Sequence, residues 1–151
     1  MTSAEVKRRE PGPSTSRVET LGIDARDVVA FPEGLPGFEA CRGFVVLASE
    51  STAPLQSLMA TEGPDASFLA LDPKVVLPEY RYQLSEADLA RLHATPDVPL
   101  LWLALVAVDA DGAVTVNLRA PIVINPASMV GYQLMPHDCL YPLRFLLATL
   151  E

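Results

Sequence analysis

The sequence predicts a mostly β protein: a small antiparallel β-barrel, or a strongly curved sheet, carrying one or two short helices. Three observations point there. Fourteen prolines against eight glycines are spread along 151 residues, a density that breaks long helices and favours short strands between rigid turns. Short apolar runs recur between turn signals at close spacing. Most telling is "AVTVNLRAPIVIN" (113–125). Its even positions Val114, Val116, Leu118, Ala120, Ile122 and Ile124 are apolar, while Thr115, Asn117, Arg119 and Asn125 fall on the odd ones. That is the alternation of a half-buried strand. Straight, residues 114–124 would span about 35 Å at about 3.3 Å per residue, too long for a domain of this size. Pro121 sits inside the run, where it cannot donate to a ladder. The strand must bend there, and a long bent strand that serves two sides of one core is a barrel device.

The elements follow in order. Residues 1–17, dominated by Pro, Ser, Gly and charge, read as a disordered tail, and 18–151 as a single domain. "VETLGI" (18–23) and "VVAF" (28–31) are strand candidates around the turn-like "DARD". In "FPEGLPGFE" (31–39), Pro36 and Gly37 suit the centre of a type II turn, proline presetting the first position and glycine supplying positive φ at the second. Phe31, Leu35 and Phe38 anchor that loop. Strands are expected at 44–49, 54–61, 67–71 and 79–84, with "EGPDA" and "LDPK" as turns. "SEADLARL" (85–92) predicts a helix, Ser85 capping it and Asp88 completing a capping box. "LLWLALVAV" (100–108) lacks alternation, which fits a strand buried on both faces or a helix segment. Pro96 and Pro99 before it and "DADG" after it favour a hairpin with the alternating stretch.

Several function classes are disfavoured. The longest apolar run, "VPLLWLALVAV" (98–108), is shorter than the roughly 18 residues of a membrane span. The polar N-terminus has no apolar signal core, so a cytoplasmic address is expected. Cys41 and Cys139 are isolated thiols without metal-site spacing. The first 20 residues hold four bases and three acids, leaving 16 acids against 7 bases in the rest. So acidic a body repels phosphate backbones and suits a basic protein partner instead. "DADG" (109–112) lacks the acid offsets of a calcium loop, and position 120, where the bidentate glutamate would stand, is Ala120. His137, Asp138 and Cys139 are consecutive, and consecutive side chains rarely face one another. His93 follows the expected helix and suits its C-terminus. With no nucleophile elbow, phosphate loop or cofactor fingerprint, the expectation is a binding protein rather than an enzyme, with no cofactor and no metal.

"FPEGLPGFE" (31–39), "PLQSL" (54–58), "NLRAPIVIN" (117–125) and "GYQLM" (131–135) occur in an order and at separations that resemble the FliW family of flagellar assembly factors. The resemblance spans roughly residues 18–145. The polar N-terminal extension and the apolar end "LYPLRFLLATLE" depart from the pattern, and Phe145 to Leu150 is open between a docked helix and a contact surface. The resemblance implies a small, non-catalytic, barrel-like cytoplasmic protein that binds flagellin. It also implies that, once flagellin is exported, the protein binds and antagonises a CsrA-type carbon storage regulator, an RNA-binding repressor of flagellin synthesis. A narrower alternative is a dedicated flagellin chaperone that does not bind the regulator. The expected partner surface combines Phe31, Glu33, Pro36, Phe38 and Glu39 of the first motif with Asn117, Arg119 and Asn125 of the polar strand face. For the asparagines a structural role, through hydrogen bonds to backbone, is the favoured reading.

Overall fold

The computed structural model describes residues 24–136 and 138–149; the tail expected over 1–17, the strand expected over 18–23 and His137 lie outside them. Nine strands form one sheet: β1 (Val29–Ala30), β2 (Gly43–Ala48), β3 (Gln56–Ala60), β4 (Ser67–Leu71), β5 (Leu101–Val108), β6 (Ala113–Val116), β7 (Ile122–Asn125), β8 (Val130–Gln133) and β9 (Phe145–Thr149). Their order is β4-β3-β2-β1-β8-β7-β5-β6-β9, and a further β4–β5 ladder closes a seven-stranded barrel, leaving β6 and β9 as an extension beside β5. The ladders are antiparallel except for β1 beside β8, where Ala30 faces Val130. The expected barrel is therefore present.

Its interior is packed by Phe31, Phe44, Leu58, Leu103, Ile122 and Ile124. The chain between β4 and β5 wraps the outside and builds two more clusters. One joins Tyr80 to Leu71, Ala104, Val116 and Leu118; the other sets Leu92 against Val123, Tyr132 and Leu134. Strand β5 is thus covered on both faces at its centre, which is why its sequence shows no alternation. The β5–β6 hairpin forms as expected, turning through Asp109–Gly112, where the Asp109 amide donates to the Ala113 carbonyl at 2.8 Å.

The long alternating stretch becomes two strands along one edge of β5. Val116 faces Val106, while Ile122 faces Leu103, so six steps on one chain match three on the other. Three surplus residues are accommodated between Asn117 and Pro121. The Asn117 side-chain carbonyl accepts from the amides of Arg119 and Ala120 at 3.1 and 3.0 Å. The bulge carbonyls are also used: Leu118 accepts from the Tyr80 hydroxyl at 2.8 Å, Ala120 from the Gln133 side chain at 3.0 Å and Pro121 from the Leu134 amide at 2.8 Å. The proline needs no ladder partner because the ladder is interrupted where it stands.

Three expected elements differ. "EYRYQL" (79–84) alternates, but it lies across the outer face of the sheet rather than within it, so Tyr80, Tyr82 and Leu84 pack inward without strand partners. "LDPK" is more than a turn. Asp72 caps a one-turn helix, α1 (Pro73–Val76), by accepting from the Lys74 amide at 2.9 Å, with Pro73 at the first helical position. Of the two readings open for the C-terminal segment, the docked helix is not formed; Phe145–Thr149 is β9, paired with β6. The expected helix is α2 (Glu86–Arg91), and Ser85 and Asp88 form both halves of its capping box.

Candidate functional site

The loop between β1 and β2 is built by local chemistry. The Leu35 and Phe38 backbones close on each other, the Phe38 amide donating to the Leu35 carbonyl at 2.6 Å. Gly37 takes φ +84 at the second central position, as the Pro-Gly pair requires. The Glu39 carboxylate accepts from the Gly37 amide at 3.1 Å and ties the turn. Beneath, Phe31 is fully buried, its ring edge-on to Phe44 at 5.0 Å. Gly131 makes the room, since a Cβ there would lie 2.8 Å from the Phe31 ring. Phe38 is 36% exposed and rests edge-on against Phe68 at 5.1 Å. Glu33, Pro36, Gly37 and Glu39 are exposed.

This loop abuts the β3–β4 turn. The Cys41 thiol donates to the Pro64 carbonyl at 3.3 Å, and the Thr61 amide donates to the Gly43 carbonyl at 2.9 Å. The contact brings Glu62 and Asp65 to the end of the barrel that carries Glu33 and Glu39. Among the described residues of the two loops the one base is Arg42, whose guanidinium donates to the Glu39 carbonyl at 2.8 Å. Four carboxylates against one guanidinium on two adjoining loops, one of which carries a partly exposed phenyl ring, make a negative surface with an apolar element.

The eight sequence-identified residues divide. Because β1 runs parallel to β8, the chain leaves β1 toward the end where β8 finishes at Gln133, and Gln133 holds the bulge. The 31–39 loop and the Asn117–Arg119 bulge therefore lie toward the same end of the barrel. Arg119 is half-buried, its guanidinium donating to the Tyr141 carbonyl at 2.9 Å. Asn125 is at the far end of β7 and buried. Its amide nitrogen donates to the Leu92 and His93 carbonyls at 2.8 and 3.3 Å and its oxygen accepts from the Ala127 amide at 3.0 Å. It ties the end of α2, where His93 takes φ +55, to the β7–β8 turn. Phe31, Asn117, Arg119 and Asn125 thus build the scaffold, and Glu33, Pro36, Phe38 and Glu39 are what the surface presents. Glu62 and Asp65 could not be found from sequence, since only the fold brings "EGPDA" to the 31–39 loop.

Among the described residues no group of three or more His, Cys, Asp or Glu side chains is placed to hold a metal ion, and no helix is long and apolar enough to cross a membrane. Two tyrosines are perturbed. Burial, then the Asp88 charge, raises the Tyr82 hydroxyl to about 12. Burial chiefly raises that of Tyr80 as well. Both shifts follow from packing under the wrap.

Comparison with known proteins decides the family. The profile described as FliW protein matches residues 13–147. The chain belongs to the FliW family. It is 32% identical over 131 residues to the flagellar assembly factor FliW of Desulfitobacterium hafniense strain Y51, covering 86% of each chain. It is 31% identical over 125 residues to that of Caldanaerobacter subterraneus subsp. tengcongensis, covering 81% of this chain and 83% of the other. A crystal structure of the flagellar assembly factor FliW superposes with a TM-score of 0.75 at 31% identity, covering 82% of this chain and 87% of that one.

Proposed function

We propose that this FliW-family protein is a non-catalytic, cytoplasmic partner switch. It holds flagellin and, when flagellin has been exported, it binds a CsrA-type regulator and lifts that regulator's repression of flagellin synthesis. The observation that carries this reading is the acidic barrel end, where Glu33, Glu39, Glu62 and Asp65 lie on the two adjoining loops and Phe38 is partly exposed. Such a surface attracts a basic RNA-binding protein and repels RNA itself, so the switch acts on the repressor rather than on the message. The partly exposed ring adds an apolar contact to the charged loops.

The test is calorimetric titration of the protein with its host's CsrA-type regulator, comparing the native chain with Glu33→Lys/Glu39→Lys/Glu62→Lys. The reading expects binding that weakens with salt and at least tenfold weaker affinity in the variant. Unchanged affinity in a folded variant overturns the assignment of this surface. A dedicated flagellin chaperone is the second reading. It is favoured by one feature, the edge strand β9, where Leu146 and Leu147 are 60% and 42% exposed, and it would appear as flagellin binding without regulator binding.

A further inference from the structure

Lys74 and Arg81 are exceptional among the bases of the folded region. Five of the seven bases there are engaged by their side chains. Arg26 pairs with Asp24 and Arg144 with Asp109. Arg42 and Arg119 donate to carbonyls, and Arg91 lies 4.6 Å over the Tyr132 ring. Among the described residues the Lys74 and Arg81 side chains have no partner, both are exposed, and both line one cleft of about 890 Å³. The cleft runs between α1, the 80–83 segment and β5. Its wall holds Tyr82 and Trp102, ring centroids 5.7 Å apart at 51°. The one acid lining it is Asp72, whose carboxylate already caps α1. In a chain whose surface is otherwise dominated by carboxylates, this is a positively charged aromatic trough.

The 80–84 segment adds a second observation. It is extended but belongs to no ladder, with Arg81 and Gln83 exposed on alternate positions. The Arg81 amide is taken by the Tyr141 hydroxyl at 2.8 Å, whereas the Tyr82 and Gln83 amides have no hydrogen-bond partner among the described residues. Successive amides of an extended segment point to opposite edges, so one of these two can donate to the carbonyl of another extended backbone lying in the trough. Two spaced cations select carboxylates on that guest, and the Tyr82–Trp102 wall accepts an aromatic or aliphatic side chain between them.

We propose that this cleft binds an extended acidic peptide segment of a partner protein, one that places an aromatic or aliphatic residue between carboxylates. The site is independent of the acidic barrel end and opposite to it in charge, so the two surfaces serve partners of different chemistry. Nothing in the inference depends on which partner occupies the acidic end.

Trp102 is the sole tryptophan of the chain, so its emission reads occupancy directly. The full chain is titrated with an acetylated, amidated hexapeptide of sequence Glu-Asp-Phe-Leu-Asp-Glu, and in parallel with its counterpart in which every acid is lysine. The expected result is a saturable change in Trp102 emission with the acidic peptide alone. It should weaken at high salt and become at least tenfold weaker in Lys74→Glu/Arg81→Glu. Both side chains are exposed, and thermal melts check that the variant is folded; the neutral pair Lys74→Gln/Arg81→Gln should fall between. No saturable response, equal response to the lysine peptide, or full affinity in a folded charge-reversed variant overturns the proposal. Complete displacement of the peptide by millimolar inorganic phosphate also overturns it, by making the cleft a small-anion site.

Discussion

Asn117 and Asn125 occupy the same strand face in sequence, but only Asn125 uses its side-chain nitrogen as well as its oxygen, and aspartate distinguishes them. At Asn117 only the side-chain oxygen works, accepting from two backbone amides at 3.1 and 3.0 Å. Asn117→Asp keeps that acceptor, and the expected change is within about 0.5 kcal/mol, as for a surface substitution. Asn117→Ala leaves both amides of a half-buried bulge without a partner and should cost about 1–3 kcal/mol. At Asn125 the nitrogen donates to the Leu92 and His93 carbonyls, and the residue is 1% exposed. Asn125→Asp sets a buried carboxylate against two carbonyl oxygens, and the expected loss is about 3–5 kcal/mol at neutral pH, the range for an uncompensated buried charge. Burial and those oxygens raise the introduced carboxyl's pKa above its unfolded value of about 3.9. The protonated form can still donate to Leu92. Relative to the native chain, the deficit should therefore be smallest below about pH 4 and grow as pH rises through the folded pKa. Urea unfolding followed by Trp102 emission measures all three variants, since Trp102 faces Val123 on the strand that ends at Asn125. Equal losses for Asn117→Asp and Asn125→Asp, or an Asn125→Asp deficit that ignores pH, would refute the assigned roles.

Gly131→Ala should destabilise by about 1–3 kcal/mol, because its Cβ would meet the Phe31 ring at 2.8 Å in a packed interior; adding Phe31→Leu should recover part of the loss in a thermal melt. The raised pKa values of Tyr82 and Tyr80 stabilise the folded state fully below pH 10, and that contribution is lost as pH rises through about 12. Urea midpoints should hold up to pH 10 and fall above it, less steeply in Tyr82→Phe. Gly37→Ala forces a side chain to φ +84 without a clash, so it should cost about 1–3 kcal/mol from backbone conformation alone, while Gly37→Asn, which tolerates that region better, should cost less in the same melt.

Much of this fold was legible because its signals are local. The capping box at Ser85, the Pro36-Gly37 turn and the apolar phase of 114–124 each depend on neighbours in sequence, and each is present in the structure. The three-residue surplus at Pro121 depends on the spacing of a different strand, β5, so the sequence indicated a bend and could not supply its size. "EYRYQL" misled for a related reason. Alternation reports that one side of an extended segment is buried, whether the segment lies within a sheet or across it. The Asp72-Pro73 cap-and-first-turn pattern was readable, but a single helical turn is hard to separate from a turn. The 31–39 loop stood out through its apolar anchors and Pro-Gly pair. Nothing local separated buried Phe31 from exposed Phe38, and nothing linked either to Glu62, 24 residues or more along the chain.

A partner switch of the kind proposed requires that flagellin and the CsrA-type regulator exclude one another on this protein. The most direct measurement starts from the complex of protein and regulator with a flagellin leader RNA present, adds purified flagellin, and follows regulator transfer by RNA gel shift. Flagellin is expected to release the regulator, which then occupies the RNA in proportion to the flagellin added. A ternary complex that leaves the RNA unbound at saturating flagellin would contradict it.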